Sequence, residues 1–302
     1  MSGGAKKRFR GAVDRVARPY VAELEASVAQ LGGELEATRE ELAKIRHGLR
    51  MISDDEHGNR VRLYELRRDP SYELAFTEED PLVSFVIATY DSFATLRDVA
   101  LPSVLGQSYS NLEVIVIGDG SPPETAEAIA EIDDPRVIFF NRPYRGPYPE
   151  NERERWLMSG SPAYNEGLSR VTGRWIAPMA DDDAVRPEHT RTLVDAAQRH
   201  RHELCYGRMD VHFEDGRGCE LGDFPPRLGG VMPQASIYHA GLGFLHSQPV
   251  DSVFGEPNDW SRHRRMLAIG VYMGMVDALV ADKYETNQTL EAYMYVQPNS
   301  TW

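Results

Sequence analysis

Near its middle the chain reads Trp175-Ile176-Ala177-Pro178-Met179-Ala180-Asp181-Asp182-Asp183, an apolar run that leads directly into three aspartates. A run of this length, closed by polar residues, is typical of a buried β-strand. Three adjacent carboxylates repel one another and need a cation nearby if they are to leave water. The triplet has two interpretations, a Mg²⁺ or Mn²⁺ site and a cap by Asp183 for a helix near Pro187. Its position directly after a strand favours the metal site.

Three more apolar runs precede this one, and helical patterns separate them. The predicted strands are Val83–Ala88, Leu112–Gly118, Arg136–Asn141 and Arg174–Met179. Buried strands that alternate with helices predict an α/β fold with a mostly parallel sheet covered on both faces. Ligands of such sheets bind at the carboxyl ends of the strands. Asp119 and the triplet Asp181–Asp183 both follow strands and are therefore expected at that edge.

Two single aspartates have open interpretations. Asp119 begins a Gly-Ser-Pro-Pro turn, where it would either bond its own backbone or accept a hydrogen bond from a nucleobase. Asp259 precedes a predicted helix, where it would be either an N-cap or a general base held at the helix start. The surrounding sequence alone decides neither case.

The amino-terminal region has a different pattern. Apolar residues from Val21 to Ile52 alternate spacings of three and four, which is a heptad seam and predicts a coiled coil. Gly32-Gly33 weakens the helix, and packing of one long helix on its own domain is the alternative. We therefore predict a basic segment (1–18), a coiled-coil helix (19–52) that forms a homo-oligomer, a linker (53–81) and an α/β domain (82–302).

The composition restricts the partners. The net charge is −14, which excludes a general nucleic-acid binder, because binding phosphates directly requires a basic surface. An acidic protein can still bind a nucleotide through a divalent cation. Two cysteines without metal-site spacing, and no apolar run long enough to span a bilayer, predict a cytoplasmic protein. The basic start could make peripheral contact with a membrane, but a solvated charge run is favoured.

At this point the chain resembles a known family. The segments Val83–Asp91, Ile115–Ser121 and Gly173–Asp183, followed by Asp259-Trp260, are similar to the ordered motifs of family 2 glycosyltransferases. The resemblance covers about Leu82 to Gly270. It implies a GT-A fold and transfer with inversion at the anomeric carbon. It also implies a nucleotide-sugar half (82–183) and an acceptor half (184–302).

The resemblance also implies roles for residues of the nucleotide-sugar half. Ala88, Thr89 and Tyr90 would line the nucleotide pocket. Asp119 would accept the N3–H of uracil or thymine, which favours a UDP- or dTDP-sugar donor. Asp181 would approach the ribose.

The remaining implied roles concern metal, base and acceptor. Asp182 or Asp183 would hold Mn²⁺ or Mg²⁺ on the diphosphate, and Asn165 matches an asparagine of the helix before the metal motif. Asp259 would be the base that removes a proton from the acceptor hydroxyl. A glycan, a lipid-linked sugar or a protein would be the acceptor.

This sequence departs from the family pattern at two motif positions. Gly118 replaces the first of two aspartates often found there, and Asn258 replaces a glutamate before Asp259. The segment Arg145–Gly160 is longer than a minimal connection. It is either a surface insertion, which is favoured, or a donor lid in which Arg153 or Arg155 reaches the phosphates.

Two other functions remain as alternatives. A metal-dependent nucleotidyltransferase would also use a nucleotide and an acidic pair, but the first strand lacks a Gly-rich, basic phosphate loop after it. In a non-catalytic assembly protein, the coiled coil would be the functional element and the sheet domain would be a binding module.

Overall fold

The computed structural model describes residues 3–285. The chain divides into two units, Met1–Ser53 and Asp54–Trp302. Residues 286–302, the end of the predicted α/β domain, lie outside the described residues. No helix within the described part of the chain is both long and apolar enough to cross a bilayer.

The amino-terminal unit consists of one helix. α1 spans Gly3–Asp54 and contains 52 residues. The predicted helix over 19–52 is therefore confirmed, and it begins earlier than predicted, within the basic segment. Apolar residues of the heptad seam, such as Val28 and Leu31, are exposed along it. Self-association through this seam stays a prediction, because one chain does not test it.

The second unit contains short helices, which are α2 (Glu56–Leu66), α3 (Leu74–Thr77), α4 (Phe93–Thr95), α5 (Leu101–Leu105), α6 (Pro123–Ala130), α7 (Glu152–Leu157), α8 (Ser161–Leu168), α9 (His189–His200) and α10 (Asn258–Ile269). A π-helical segment, Leu96–Ala100, joins α4 to α5. Four 3-10 helices within the described residues occupy Pro70–Glu73, Pro233–Ala235, Ala240–Phe244 and Pro249–Phe254.

One sheet organises this unit. Its strands are β1 (Val83–Thr89), β2 (Leu112–Gly118), β3 (Val137–Asn141), β4 (Trp175–Met179), β5 (Ala184–Val185), β6 (Leu204–Phe213), β7 (Gly218–Leu221), β8 (Ser236–His239) and β9 (Met273–Glu285). Their order across the sheet is β3-β2-β1-β4-β8-β6-β9-β5, and β7 pairs with β6. The first four strands in that order are mutually parallel, as predicted. β8 then continues the sheet antiparallel to β4.

Alternating side chains of β1 fill two apolar layers, as the period of two in a strand requires. Phe85 and Ile87 pack with Leu101 on one face. Val86 points to the other face, where α8 lies. α8 approaches closely because Gly167 has no side chain: a Cβ there would lie 2.5 Å from Val86 Cγ1. The α/β class with helices on both faces is therefore confirmed.

The segment 53–81 is not a linker, so that prediction was wrong. It contains α2, the 3-10 helix and α3, and it buries Leu63, Tyr72 and Phe76 in the core of the second unit. These apolar residues are few and irregularly spaced in a charged stretch, so no periodicity revealed their burial. The folded second unit begins well before Leu82.

A buried ion pair holds this segment to the sheet. Arg67 donates to both carboxylate oxygens of Glu203, each at 2.7 Å. Glu203 is fully buried and also accepts from the Tyr72 hydroxyl at 2.9 Å and the Tyr272 amide at 2.8 Å. A buried carboxylate is tolerated when its oxygens are satisfied in this way.

We expect Arg67→Ala to lower the free energy of unfolding by about 3 kcal/mol, because Glu203 would stay buried without its charged partner. Arg97→Ala is the matched control, since the pair of Arg97 with Asp98 is exposed and should contribute at most ~1 kcal/mol. Denaturant unfolding of the full-length chain measures both changes. Equal decreases in the free energy of unfolding of the two variants would contradict the role given to Glu203.

Candidate active site

A cavity of about 790 Å³ opens at the carboxyl ends of β1, β2 and β4. The register explains why: Thr89 pairs with Gly118, and Ile87 pairs with Met179, so the three strands end side by side. Polar residues that follow these strands therefore converge at one edge. Seven of the nine predicted site residues line the cavity, namely Ala88, Thr89, Tyr90, Asp119, Asp181, Asp182 and Asp259. Asn165 and Asp183 are not among the lining residues.

Asp119 is held by a loop that follows β3. Its carboxylate is 2% exposed and forms an ion pair with Arg142. It also accepts from the Gly146 amide at 3.0 Å and from the Tyr148 hydroxyl at 2.5 Å. The interpretation of Asp119 as a turn residue that bonds its own backbone is therefore wrong. A carboxylate has about four lone-pair positions, so three donors leave room for one more.

Asp181 and Asp182 differ in exposure. Asp181 is half-buried, and Asp182 is exposed at the cavity wall. Burial, together with the neighbouring charge of Asp182, raises the pKa of Asp181 to about 6. An adjacent pair of carboxylates fits a divalent cation, which prefers oxygen ligands. The donor set of this pair therefore suits Mg²⁺ or Mn²⁺.

Asp183 is fully buried and does not line the cavity. One of its oxygens accepts from Gln234 Nε2 at 2.6 Å and lies 3.4 Å from Lys283 Nζ. The other oxygen accepts from the Tyr284 amide at 3.3 Å. Burial raises its pKa to about 7, and the Lys283 charge opposes that rise. Of the two aspartates predicted to hold metal, Asp182 lines the cavity and Asp183 does not.

The helix-cap interpretation of the triplet is also wrong. α9 begins at His189, and Glu188 occupies its N-cap position. Asp183 is instead followed by the short strand β5, which pairs with β9. Asp183 is therefore buried between β9 and Gln234, and it neither caps a helix nor lines the cavity.

Asn165 has a structural contact in place of the predicted cofactor contact. Its amide nitrogen donates to the Ser247 carbonyl at 2.8 Å, and its amide oxygen accepts from the Ser247 N–H at 3.0 Å. An asparagine side chain can satisfy both backbone groups of one residue because it carries a donor and an acceptor. Asn165 therefore fastens α8 to the segment that precedes Pro249–Phe254.

Asp259 lies in the first turn of α10, after Pro257 in the N-cap position. The N-cap interpretation is therefore wrong. Its Oδ1 accepts from the Trp260 amide at 2.7 Å, and the carboxyl lines the cavity. Burial raises the pKa of Asp259, while the nearby Arg262 charge opposes the rise. A carboxylate with a raised pKa is a stronger base than an exposed one.

Arg262 was missed in the sequence. It is 3% exposed and lines the cavity one helical turn after Asp259. Its guanidinium lies 4.3 Å from the centre of the Tyr164 ring and donates to Ser247 Oγ at 2.9 Å. The signal was present in Arg262-His263-Arg264-Arg265, but a basic run on a helix usually indicates a solvated face.

The segment Arg145–Gly160 forms a wall of the cavity, so it is more than a surface insertion. Eight of its residues line the cavity: Arg145, Tyr148, Glu152, Arg155, Trp156, Leu157, Ser159 and Gly160. Arg155 bonds the loop's own carbonyls at Pro149 and Glu150, and Arg153 is not a lining residue. Of the two arginines named from the sequence, Arg155 therefore lines the cavity while bonded to its own loop, and Arg153 does not line it.

A second set of metal-type ligands lies away from this cavity. One ligand atom each from Asp210, His212 and Asp282 lies within 4.8 Å of the other two. Arg186 already pairs with Asp282 at 2.8 Å and with Asp210 at 3.4 Å. This guanidinium supplies the positive charge that the two carboxylates require.

Comparisons with known proteins identify the family of this chain. The model of the family "Glycosyl transferase family 2" matches residues 84–150 and 152–268. The succinoglycan biosynthesis protein ExoO of Rhizobium meliloti (strain 1021) is 34% identical over 143 residues, which are 47% of this chain and 37% of ExoO. An uncharacterized glycosyltransferase of Haemophilus influenzae is 28% identical over 241 residues, 73% of this chain and 71% of that protein.

Similar solved structures include S. aureus TarS 1-349 in complex with UDP-GlcNAc. Its TM-score is 0.52 at 15% identity, over 67% of this chain and 58% of TarS 1-349, so the likeness concerns the fold. The chain spans little more than a third of ExoO and over half of that TarS chain. Because the family match covers more than half of its residues, this chain belongs to glycosyltransferase family 2.

Proposed function

We propose that this protein transfers a sugar from a UDP- or dTDP-linked donor to a hydroxyl group of a glycan, with inversion, in polysaccharide biosynthesis. The observation that carries the proposal is the convergence of Asp119, Asp181, Asp182 and Asp259 on one cavity at the ends of parallel strands. Family membership supports glycosyl transfer. The UDP-GlcNAc named in the TarS structure and the succinoglycan named for ExoO support the donor and acceptor classes.

The donor end of the cavity contains Tyr90 and Asp119. The Asp119 carboxylate is fixed by three donors and keeps one acceptor position, which suits the N3–H of uracil or thymine. Cytosine carries a lone pair at that position and would be repelled. Asp119 would therefore select the base as well as bind it.

Asp181 and Asp182 would hold the ribose and the divalent cation respectively. When bound, Mg²⁺ or Mn²⁺ would neutralise the charge that develops on the departing diphosphate. Asp183 contributes by position: its contacts with Gln234 and Lys283 fix the end of the triplet.

Asp259 would remove the proton from the acceptor hydroxyl as that oxygen attacks the anomeric carbon from the face opposite the nucleotide. The C–O bond to the acceptor forms while the C–O bond to the diphosphate breaks, so a single displacement needs no protein nucleophile. Asp259 comes from the later half of the chain and the base-binding residues from the earlier half, consistent with the proposed halves 82–183 and 184–302.

Binding of nucleotides to the full-length chain tests the donor assignment. We expect UDP and dTDP, with Mn²⁺, to bind roughly ten- to hundredfold more tightly than CDP. Cytosine has a lone pair at N3 where uracil and thymine have an N–H, and the lost hydrogen bond to Asp119 should cost about 1–3 kcal/mol of binding free energy. Asp119→Asn should reduce this discrimination. Isothermal titration calorimetry measures both, and a chain that binds only GDP would contradict the assignment.

Release of UDP from a UDP-sugar supports sugar transfer, whereas pyrophosphate formed from UTP supports nucleotidyl transfer.

Asp182→Asn and Asp183→Asn form a matched pair. Asp182→Asn should remove the Mn²⁺-dependent gain in UDP affinity and leave the free energy of unfolding nearly unchanged. Asp183→Asn should keep that gain but destabilise the fold by about 1–3 kcal/mol, since the amide nitrogen that replaces one buried oxygen cannot accept a hydrogen bond from the donors around it. Calorimetry with and without Mn²⁺, together with denaturant unfolding, separates the two. The reverse pattern would show that the metal role belongs to Asp183.

Asp259→Asn should lower the rate of transfer by at least about a hundredfold while UDP affinity is retained. In the unmodified protein the base must be ionised, so kcat/KM should rise as pH rises through the pKa of Asp259. Because burial raises that pKa, this acidic limb should lie above the usual value for aspartate, which is about 3.9. Glu152→Gln, an exposed carboxylate that also lines the cavity, is the control. Full activity of Asp259→Asn would exclude Asp259 as the base.

A further inference from the structure

Among the described residues, five cationic side chains line the cavity, and one of them differs from the rest. Four have polar partners in the protein: Arg155 with the Pro149 and Glu150 carbonyls, Arg227 with Asp223, Arg262 with Ser247, and Lys283 with Asp183 and Glu285. Arg145 is exposed, and within the described residues its side chain contacts aromatic rings alone. Its guanidinium lies 3.7 Å from the centre of the Tyr90 ring and 5.4 Å from that of Tyr148.

The backbone of Arg145 is held firmly beside Asp119. The segment that carries it, the 142–148 loop, is fastened to that carboxylate by Arg142, the Gly146 amide and the Tyr148 hydroxyl. Gly120, with φ of +68°, lies directly under this loop: a Cβ there would be 2.5 Å from the Arg145 nitrogen. Only the long side chain of Arg145 is therefore left to move.

Among the described lining residues, carboxylates outnumber cationic side chains by six to five. The six carboxylates that line the cavity are Asp91, Asp119, Glu152, Asp181, Asp182 and Asp259. A nucleoside diphosphate brings further negative charge. Among the described lining residues, Arg145 is the guanidinium that has no hydrogen-bond or ion-pair partner in the protein to give up.

We infer that Arg145 binds the diphosphate of the nucleotide, and that its guanidinium leaves the Tyr90 ring when the nucleotide arrives. The inference rests on the proposed function. A cation over an exposed aromatic ring changes an equilibrium constant by roughly two- to fivefold. A charge-assisted hydrogen bond to phosphate is worth roughly ten- to hundredfold, so the phosphate wins the competition. The departure of Arg145 also uncovers the Tyr90 ring for the nucleotide.

The experiment compares UDP with uridine, which lacks the phosphates, on the full-length chain with Mn²⁺. We expect Arg145→Ala to raise the Kd for UDP about tenfold and to leave uridine binding unchanged or slightly tighter. Arg145→Lys, which keeps the positive charge, should lose less affinity for UDP than Arg145→Ala. Arg153→Ala is the matched control from the segment Arg145–Gly160 and should change the affinity for neither ligand. Calorimetry follows UDP, and ligand-observed NMR follows the weaker uridine.

Each other outcome has a distinct meaning. Equal weakening of UDP and uridine by Arg145→Ala would overturn the inference, because it would assign Arg145 to the base or to the shape of the loop. Unchanged UDP affinity would also overturn it. If the unmodified chain does not bind UDP at all, the proposed function fails before Arg145 is tested.

Discussion

The parallel pairing of β1 with β2 on one side and β4 on the other is the constraint on which the site depends. Parallel strands in this register end together, so whatever follows Thr89, Gly118 and Met179 meets at one edge. The chain places Tyr90, Asp119 and the aspartate triplet at those positions. Segments distant in the sequence thereby form one cavity without any single motif having to contain it.

Much of this arrangement was predictable, because apolar strands and the polar residues after them are visible as a pattern. The directions of side chains beyond the strand ends were not. Asp182 and Asp183 are adjacent in the sequence, yet one is exposed at the cavity and the other is buried against β9. Asn165 likewise contacts Ser247, a residue 82 positions away. Such contacts depend on the later half of the chain, where parallel and antiparallel pairs are mixed and the strands gave no regular pattern in the sequence.

Charges in the core were the least predictable feature. Arg262 and Glu203 are both buried, although charged residues are rarely buried without partners. Their partners lie in other parts of the chain, as with Tyr164 for Arg262 and Arg67 for Glu203. When the sequence of one helix or loop is considered alone, such residues are therefore predicted to lie on the surface. The irregular apolar residues of the segment 53–81 were misjudged for the same reason.

The ion pair between Arg67 and Glu203 also defines where the folded unit can be cut. A shortened protein that begins at Leu82 would lose Arg67 and the Tyr72 hydroxyl, and would open the core that Leu63 and Phe76 fill. Trimming of the helical extension is compatible with this unit only when the cut falls at or before Asp54. The polar stretch that looks dispensable in the sequence thus belongs to the smallest part of the chain that can be handled on its own.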